Sequence, residues 1–312
     1  MATGLKGAEG PVWIASANKL YFSEIYRNAW QVGIPREDLR NASILALDPE
    51  TGMVETWLEN SGSNGLALAP DAKSLYMAVT PKAEIQQVRL SNKSNLTVIA
   101  NKDADGKSFN APNDLTISSS KHLYFTDPTW GSGRADDNNP APFSTPAYWT
   151  NSAGETRVFD DDLIQPNGIS LSPDEKTLYV SALKTSPDRA GGSPEPEIYA
   201  YSIDADGYPN NRRVLYKRPG NQPKRVGTDG TVVDCAGNLY TTSLGGVTVI
   251  SAEGEFVKQI DVQDNQSSSS NVAFGGADMQ TLFITVEQWQ GPIEKRSFSV
   301  YAVDMPIKGM PY

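Results

Sequence analysis

Six polar residues recur at one register of this chain: Glu9, Asn64, Asn113, Asn167, Asp229 and Asn271. Each opens a short apolar run, and an aromatic residue follows it by 11 or 12 positions, at Tyr21, Tyr76, Tyr124, Tyr179, Tyr240 and Phe283. Brought to a common point, two carboxylates and four amides form an all-oxygen cage. Hard cations such as Ca²⁺ take carboxylate and amide oxygens and accept irregular protein ligation completed by water. The two carboxylates balance the charge of such an ion. The plainer reading is a repeated turn, because Asn-Gly and Asp-Gly are common turn dipeptides. It is the first reading of Asn64 and Asn271, with Asn64 also a candidate substrate contact. Glu9 resists it, since Glu is a poor turn former yet stands where other copies carry Asn. Asp229 likewise places charge where an unpaired buried carboxylate is costly.

For these residues to meet, the repeats must be arranged around an axis. The fullest copy runs from Pro166 to Ser181: Asn167-Gly168 opens it, Ile169 and Leu171 alternate with serines, and Ser-Pro-Asp-Glu-Lys turns the chain into Leu178-Tyr179-Val180. Further strand-like runs lie between copies, such as Ile44–Leu47 and Val54–Trp57, or Val247–Ile250 and Phe256–Ile260. About four strands per repeat is the composition of a propeller blade. The expectation is an all-β, six-bladed β-propeller of about four antiparallel strands per blade, forming one domain over residues 1–312. The last blade offers Asn271–Phe274, Leu282–Thr285 and Phe298–Val303, so either Thr3–Lys6 completes it or its outermost strand is missing. Insertions at Tyr26–Asn41, Asp127–Pro146 and Lys184–Glu197 each follow a second strand. They are expected on one side of the disc, at the mouth of the channel. Trp130, Tyr148 and Trp149 are expected on those mouth loops as candidate substrate contacts, core packing being the commoner use of such aromatics.

The composition limits the alternatives. A formal charge of −10 argues against nucleic acid or an anionic membrane surface as a partner. Cys235 is the only cysteine and His122 the only histidine, so neither an internal disulfide nor a three-His zinc site is available. No apolar run approaches spanning length and no signal-peptide pattern opens the chain, which fits an intracellular location. Gly131-Ser132-Gly133 lacks the Lys and helix of a phosphate loop. Asp160-Asp161-Asp162 reads as a solvated turn, and His122 as a surface or blade-edge residue.

Several stretches together resemble the senescence marker protein/gluconolactonase/luciferin-regenerating enzyme-like family. They are Glu9-Gly10-Pro11-Val12-Trp13, Asn110-Ala111-Pro112-Asn113-Asp114-Leu115, Tyr124-Phe125-Thr126-Asp127-Pro128, Pro166-Asn167-Gly168-Ile169, Thr228-Asp229-Gly230 and Phe274-Gly275-Gly276. The resemblance implies a six-bladed propeller with one divalent cation in the channel, Ca²⁺ first, with Mg²⁺, Mn²⁺ or Zn²⁺ as alternatives. It implies Glu9, Asn167 and Asp229 as ligands, and Asn113 as a further ligand or a substrate contact. The activity implied is hydrolysis of aldono-lactones or, in some relatives, of organophosphates. The chain departs from the family at Asn110-Ala111-Pro112, where some sugar lactonases carry a basic residue. Val79-Thr80-Pro81-Lys82 replaces a His or Arg cluster. Val232 and Ala273 stand where similar propellers hold a second calcium, so one metal is expected.

The leading expectation is therefore a metal-dependent hydrolase that opens a lactone in a small-molecule substrate, with Asp229 as the base that activates water. Asp114 is either a group that orients a ligand amide or a strand-start residue bonding its own backbone. The alternatives are a phosphotriesterase-like hydrolase on the same ion, or a non-catalytic ligand-binding propeller with a structural ion.

Overall fold

The computed structural model describes residues 1–25, 42–129, 145–183, 196–217, 229–243, 245–262, 267–288 and 297–310. Six four-stranded antiparallel sheets make the blades of a six-bladed β-propeller. The innermost strands are Glu9–Ile14, Ser63–Leu68, Leu115–Ile117, Ile169–Leu171, Thr231–Val233 and Ser267–Gly275; in blades 1 to 5 each is the first strand of its blade in sequence order. Among the described residues no helix is long and apolar enough to cross a membrane.

Blade 6 is completed from the other end of the chain. Ala2–Leu5 pairs antiparallel with Ser297–Asp304, placing Ala2 opposite Val300 and Leu5 opposite Phe298. Of the two sequence-level alternatives, the N-terminal segment supplies the fourth strand. The seam joins residues from opposite ends of the chain, so blade 6 cannot peel away without releasing both.

The recurring Leu-aromatic pair of the second strands, Leu20-Tyr21 to Leu282-Phe283, follows from the geometry of stacked blades. Successive strand residues point to opposite faces of a sheet, and in a propeller both faces of a second strand are covered. Leu20 and Phe22 pack towards blade 6 with Ala273 and Phe283, whereas Tyr21 faces Leu66 and Met77 of blade 2. Leu123 and Phe125 meet Ala78 and Ile85 of blade 2, while Tyr124 joins Ile169, Leu178 and Val180 of blade 4. Tyr179 and Tyr240 repeat the pattern towards blades 5 and 6. Each such side chain contributes about 1.5–3 kcal/mol by burial. The core is thus a ring of inter-blade layers.

Two expectations are corrected here. Tyr148 and Trp149 are not mouth residues: they lie side by side in the third strand of blade 3, Thr145–Thr150, and are buried on its two faces. Tyr148 stacks 5.1 Å from Phe125, and Trp149 meets Tyr208 edge-on at 5.3 Å. Asp160-Asp161-Asp162 is not a turn but part of the outer strand Thr156–Leu163, where Asp160 and Asp162 pair with Arg212 at 3.0 and 3.1 Å. The insertion cores at 26–41, 130–144 and 184–195, and Trp130 with them, lie outside the described residues.

Candidate active site

Five of the leading residues stand close to the starts of the inner strands, while Asn271 lies in the middle of Ser267–Gly275, and hydrogen bonds stitch each blade to the next at this level. From blade 1 to 2, Ser23 Oγ donates to Asn64 O at 2.7 Å. From 2 to 3, the Gly65 N–H reaches Asn113 O at 2.8 Å. Thr126 Oγ1 donates to Asn167 O at 2.7 Å between blades 3 and 4. Asp229 O accepts both the Gly168 N–H at 2.9 Å and Ser181 Oγ at 2.7 Å. The Gly230 N–H bonds Ser270 O, and Ser270 Oγ bonds Ala8 O, each at 2.8 Å, to close the ring. Near the axis main-chain carbonyls converge from different sheets, and these bonds meet their demand for donors.

This stitching explains the glycines that follow the leaders. A Cβ on residue 168 would stand 2.3 Å from Asp229 O, and one on residue 230 would stand 2.0 Å from the Asn271 side chain. Neither glycine has a left-handed backbone. The Asn-Gly and Asp-Gly pairs are therefore sites of close backbone approach between blades, rather than the turns their composition suggests.

The leaders' side chains fall into distinct roles. Glu9 and Asp229 are partly buried, and Asn64, Asn113, Asn167 and Asn271 are buried, as is Asp114 beside them. Burial, followed by the Asp114 charge, pushes the Glu9 carboxyl up to about 8. Burial raises Asp114 to about 7. Asp229 lies well above the usual carboxylate range, first through burial and then through the charges of Glu9 and Asp114. Three carboxylates thus crowd one poorly solvated place and call for positive charge or protons. The Asn167 side chain interacts with the Asp229 carboxylate and draws it down, against the burial that raises it, while the Asn167 Oδ1 is buried with no hydrogen-bond partner. A buried carbonyl oxygen without a donor suits a cation. The Asn64 and Asn113 side chains form no hydrogen bond among the described residues, because the bonds at these positions use their main-chain groups.

Asn271 differs. Its Oδ1 accepts the Val272 N–H at 2.8 Å, and its Nδ2 donates to Glu9 Oε2 and Asp114 Oδ2, both at 3.3 Å. It is a donor to the carboxylates, so the cage of four equivalent amides reduces to three. Asp114 is a strand-start residue bonding its own backbone, and the amide it holds is not that of an expected ligand. Oδ1 accepts the Leu115 N–H of its own strand, and Oδ2 orients an amide, that of Asn271 across the ring rather than that of neighbouring Asn113. Among the described residues no three Asp, Glu, His or Cys side chains converge closely enough to hold an ion unaided, so any cation here draws on the amides.

Asp127 escaped notice as a site residue. Fully buried, its carboxylate accepts the main-chain N–H of Asn110 at 2.8 Å and of Ala111 at 2.7 Å. It shapes the loop that delivers Asn113, and the Asp-Pro pair closing the second strand was its only signal. A cavity of ≈ 220 Å³ is lined by inner-strand residues such as Leu66, Leu115, Ile169 and Val233, with Asp114 and Asn271 also in its wall.

Known proteins resemble this chain in sequence and fold. A gluconolactonase from Zymomonas mobilis is 32% identical over 293 residues, covering 91% of this chain and 77% of that protein. The solved structure of a gluconolactonase from Xanthomonas campestris superposes with a TM-score of 0.68 at 25% identity, covering 96% of this chain and 87% of the other. A calcium-binding regucalcin from Agrobacterium tumefaciens shares the fold at 18% identity, with a TM-score of 0.70 over 98% of this chain and 92% of the other. The sequence model of the SMP-30/Gluconolactonase/LRE-like region matches residues 7–288, a span that runs from just before Glu9 past Asn271, and the chain belongs to that family.

Proposed function

We propose that the chain hydrolyses a lactone, using a divalent cation held at the axial ring by Glu9, Asn167 and Asp229 with Asn113 beside them. The observation that carries this reading is the buried Asn167 Oδ1, which has no hydrogen-bond partner and belongs to a side chain that interacts with Asp229, a carboxylate raised by burial and then by the charges of Glu9 and Asp114. The donor set is all oxygen, which favours Ca²⁺. When bound, such an ion supplies positive charge that polarises a carbonyl and stabilises the developing oxyanion.

Asp229 is the proton acceptor in this reading. Its backbone is tied through the Thr242 hydroxyl, Gly168 and Ser181, so its carboxylate starts from a fixed point. It takes a proton from water as the water oxygen bonds to the lactone carbonyl carbon. The ring C–O bond then breaks, and that proton passes to the departing ring oxygen, giving a hydroxy acid. Asn64 and Asn113, whose amides form no hydrogen bond among the described residues, are the groups we assign to hydrogen-bond substrate hydroxyls or carbonyls.

Acid release from an aldono-lactone, followed with a pH indicator, tests the proposal. Activity should vanish in chelator and return on adding Ca²⁺. Turnover of a phosphotriester with an inert lactone would instead favour the phosphoryl reading, and Ca²⁺ binding without turnover of either would favour a binding propeller.

A further inference from the structure

Glu9 is the most adaptable of the candidate ligands: a longer side chain than Asn or Asp, on a strand whose pairing is irregular between Glu9 and Val12. Something must fix where its carboxylate points. Two bonds do so, and both fall on Oε2: the Gly10 N–H at 3.0 Å and Asn271 Nδ2 at 3.3 Å. Oε1 takes part in neither bond.

The Asn271 amide is itself locked. Its Oδ1 accepts from Val272, so Nδ2 faces the carboxylates, and its main chain is bracketed by the Thr285 hydroxyl at 2.8 and 3.1 Å. The second Nδ2 bond reaches Asp114, held in turn by the Leu115 N–H at 2.9 Å. Blades 3 and 6 stand opposite each other in a ring of six, so this link crosses the channel.

The neighbouring blades make room for both halves of the link. A Cβ on Gly65 would come within 2.4 Å of Asp114 Oδ1, and a Cβ on Gly230 within 2.0 Å of Asn271 Oδ1. Blades 1, 2, 4 and 5 carry Gly after the leader; blades 3 and 6, which make the link, carry Asp114 and Val272.

We propose that Asn271 is a positioning residue: anchored by Val272 and braced against Asp114 across the channel, its amide turns Glu9 so that Oε1 is presented for cation binding. The inference rests on the cation reading of the ring. It differs from a general packing role in acting through one partner, and a double-mutant cycle isolates that.

The full chain, stripped with chelator, is titrated calorimetrically with Ca²⁺ and with Tb³⁺, whose higher charge keeps weak variants measurable. Asn271→Ala should weaken binding about tenfold, the scale of one lost charge-assisted hydrogen bond. In a Glu9→Gln background the same change should cost less than about twofold, because its partner's charge is already gone. If Asn271→Ala fails to fold, Asp114→Gly, which installs the residue four other blades use, reads the same coupling from the far end. Equal losses in both backgrounds, or wild-type affinity in Asn271→Ala, overturn the inference while leaving the cation site standing. A wild-type chain that binds neither ion overturns the site and the inference with it.

Discussion

At Asp229 the backbone is tied through three hydrogen bonds while the carboxylate meets the Asn167 amide. Asp229→Asn keeps the size and an oxygen able to ligate, so fold and ion content should persist while the proton acceptor is lost. The expected outcome is a fall in kcat of about 10²–10⁴, with a smaller change in KM, because the missing interaction belongs to the transition state. If excess Ca²⁺ restores the rate, Asp229 is a ligand only. Glu9 and Asp229 were legible in the sequence because charge at a register of amides is a chemical anomaly. Asn271 was set apart from Asn167 only as a turn residue and through the family resemblance, since each is an asparagine opening an apolar run. What divides them is whether Oδ1 folds back onto the next residue's N–H, as it does at Val272, or stays unpaired, as at Asn167. That is a matter of a few ångströms and leaves no trace in residue type.

Among the elements, the junctions between inner strands carry the tightest constraint. Gly168→Ala must push Asp229 O away from a Cβ that would otherwise stand 2.3 Å from it. Overpacking of this kind costs about 1–3 kcal/mol, which a urea unfolding midpoint would register. Because the displaced atom belongs to Asp229, lactonase activity should fall more steeply than stability; a variant with full activity would show that the ring tolerates slack. The second strands were readable because burial on both faces gives a continuous apolar run. The third strand of blade 3 was not, because Pro146 and flanking polar residues disguise Thr145–Thr150 as the end of a loop. Ala2–Leu5 was left open for a different reason: a four-residue strand carries little pattern, and its partner Ser297–Asp304 lies at the other end of the chain. Removing residues 1–6 should lower the melting temperature and, by exposing the edge of Ser297–Asp304, yield oligomers in size-exclusion chromatography. An unchanged melting temperature and a monodisperse profile would show that the seam is dispensable.

Across the whole molecule, six blades converge their leaders on one axis and so gather charge that no single blade would hold. Glu9 and Asp114 are pushed up to about 8 and about 7, from ordinary values of 4.5 and 3.8. Between each ordinary value and its raised one, the folded ion-free protein retains a proton that the unfolded chain has released. Fewer protons on the unfolded state mean that unfolding free energy declines as pH rises. The contribution is undiminished below about pH 4 and is lost progressively up to about pH 8. A cation reverses the sense, since it binds the deprotonated carboxylates and competes with protons. The melting temperature of chelator-stripped protein should therefore drop between pH 5 and pH 8, while the gap to the Ca²⁺-loaded protein widens over the same interval. Glu9→Gln should flatten part of the ion-free decline, because a group that cannot ionise has no proton to lose. A gap that stays constant or narrows as pH rises would mean that the axial carboxylates are not the groups a cation neutralises.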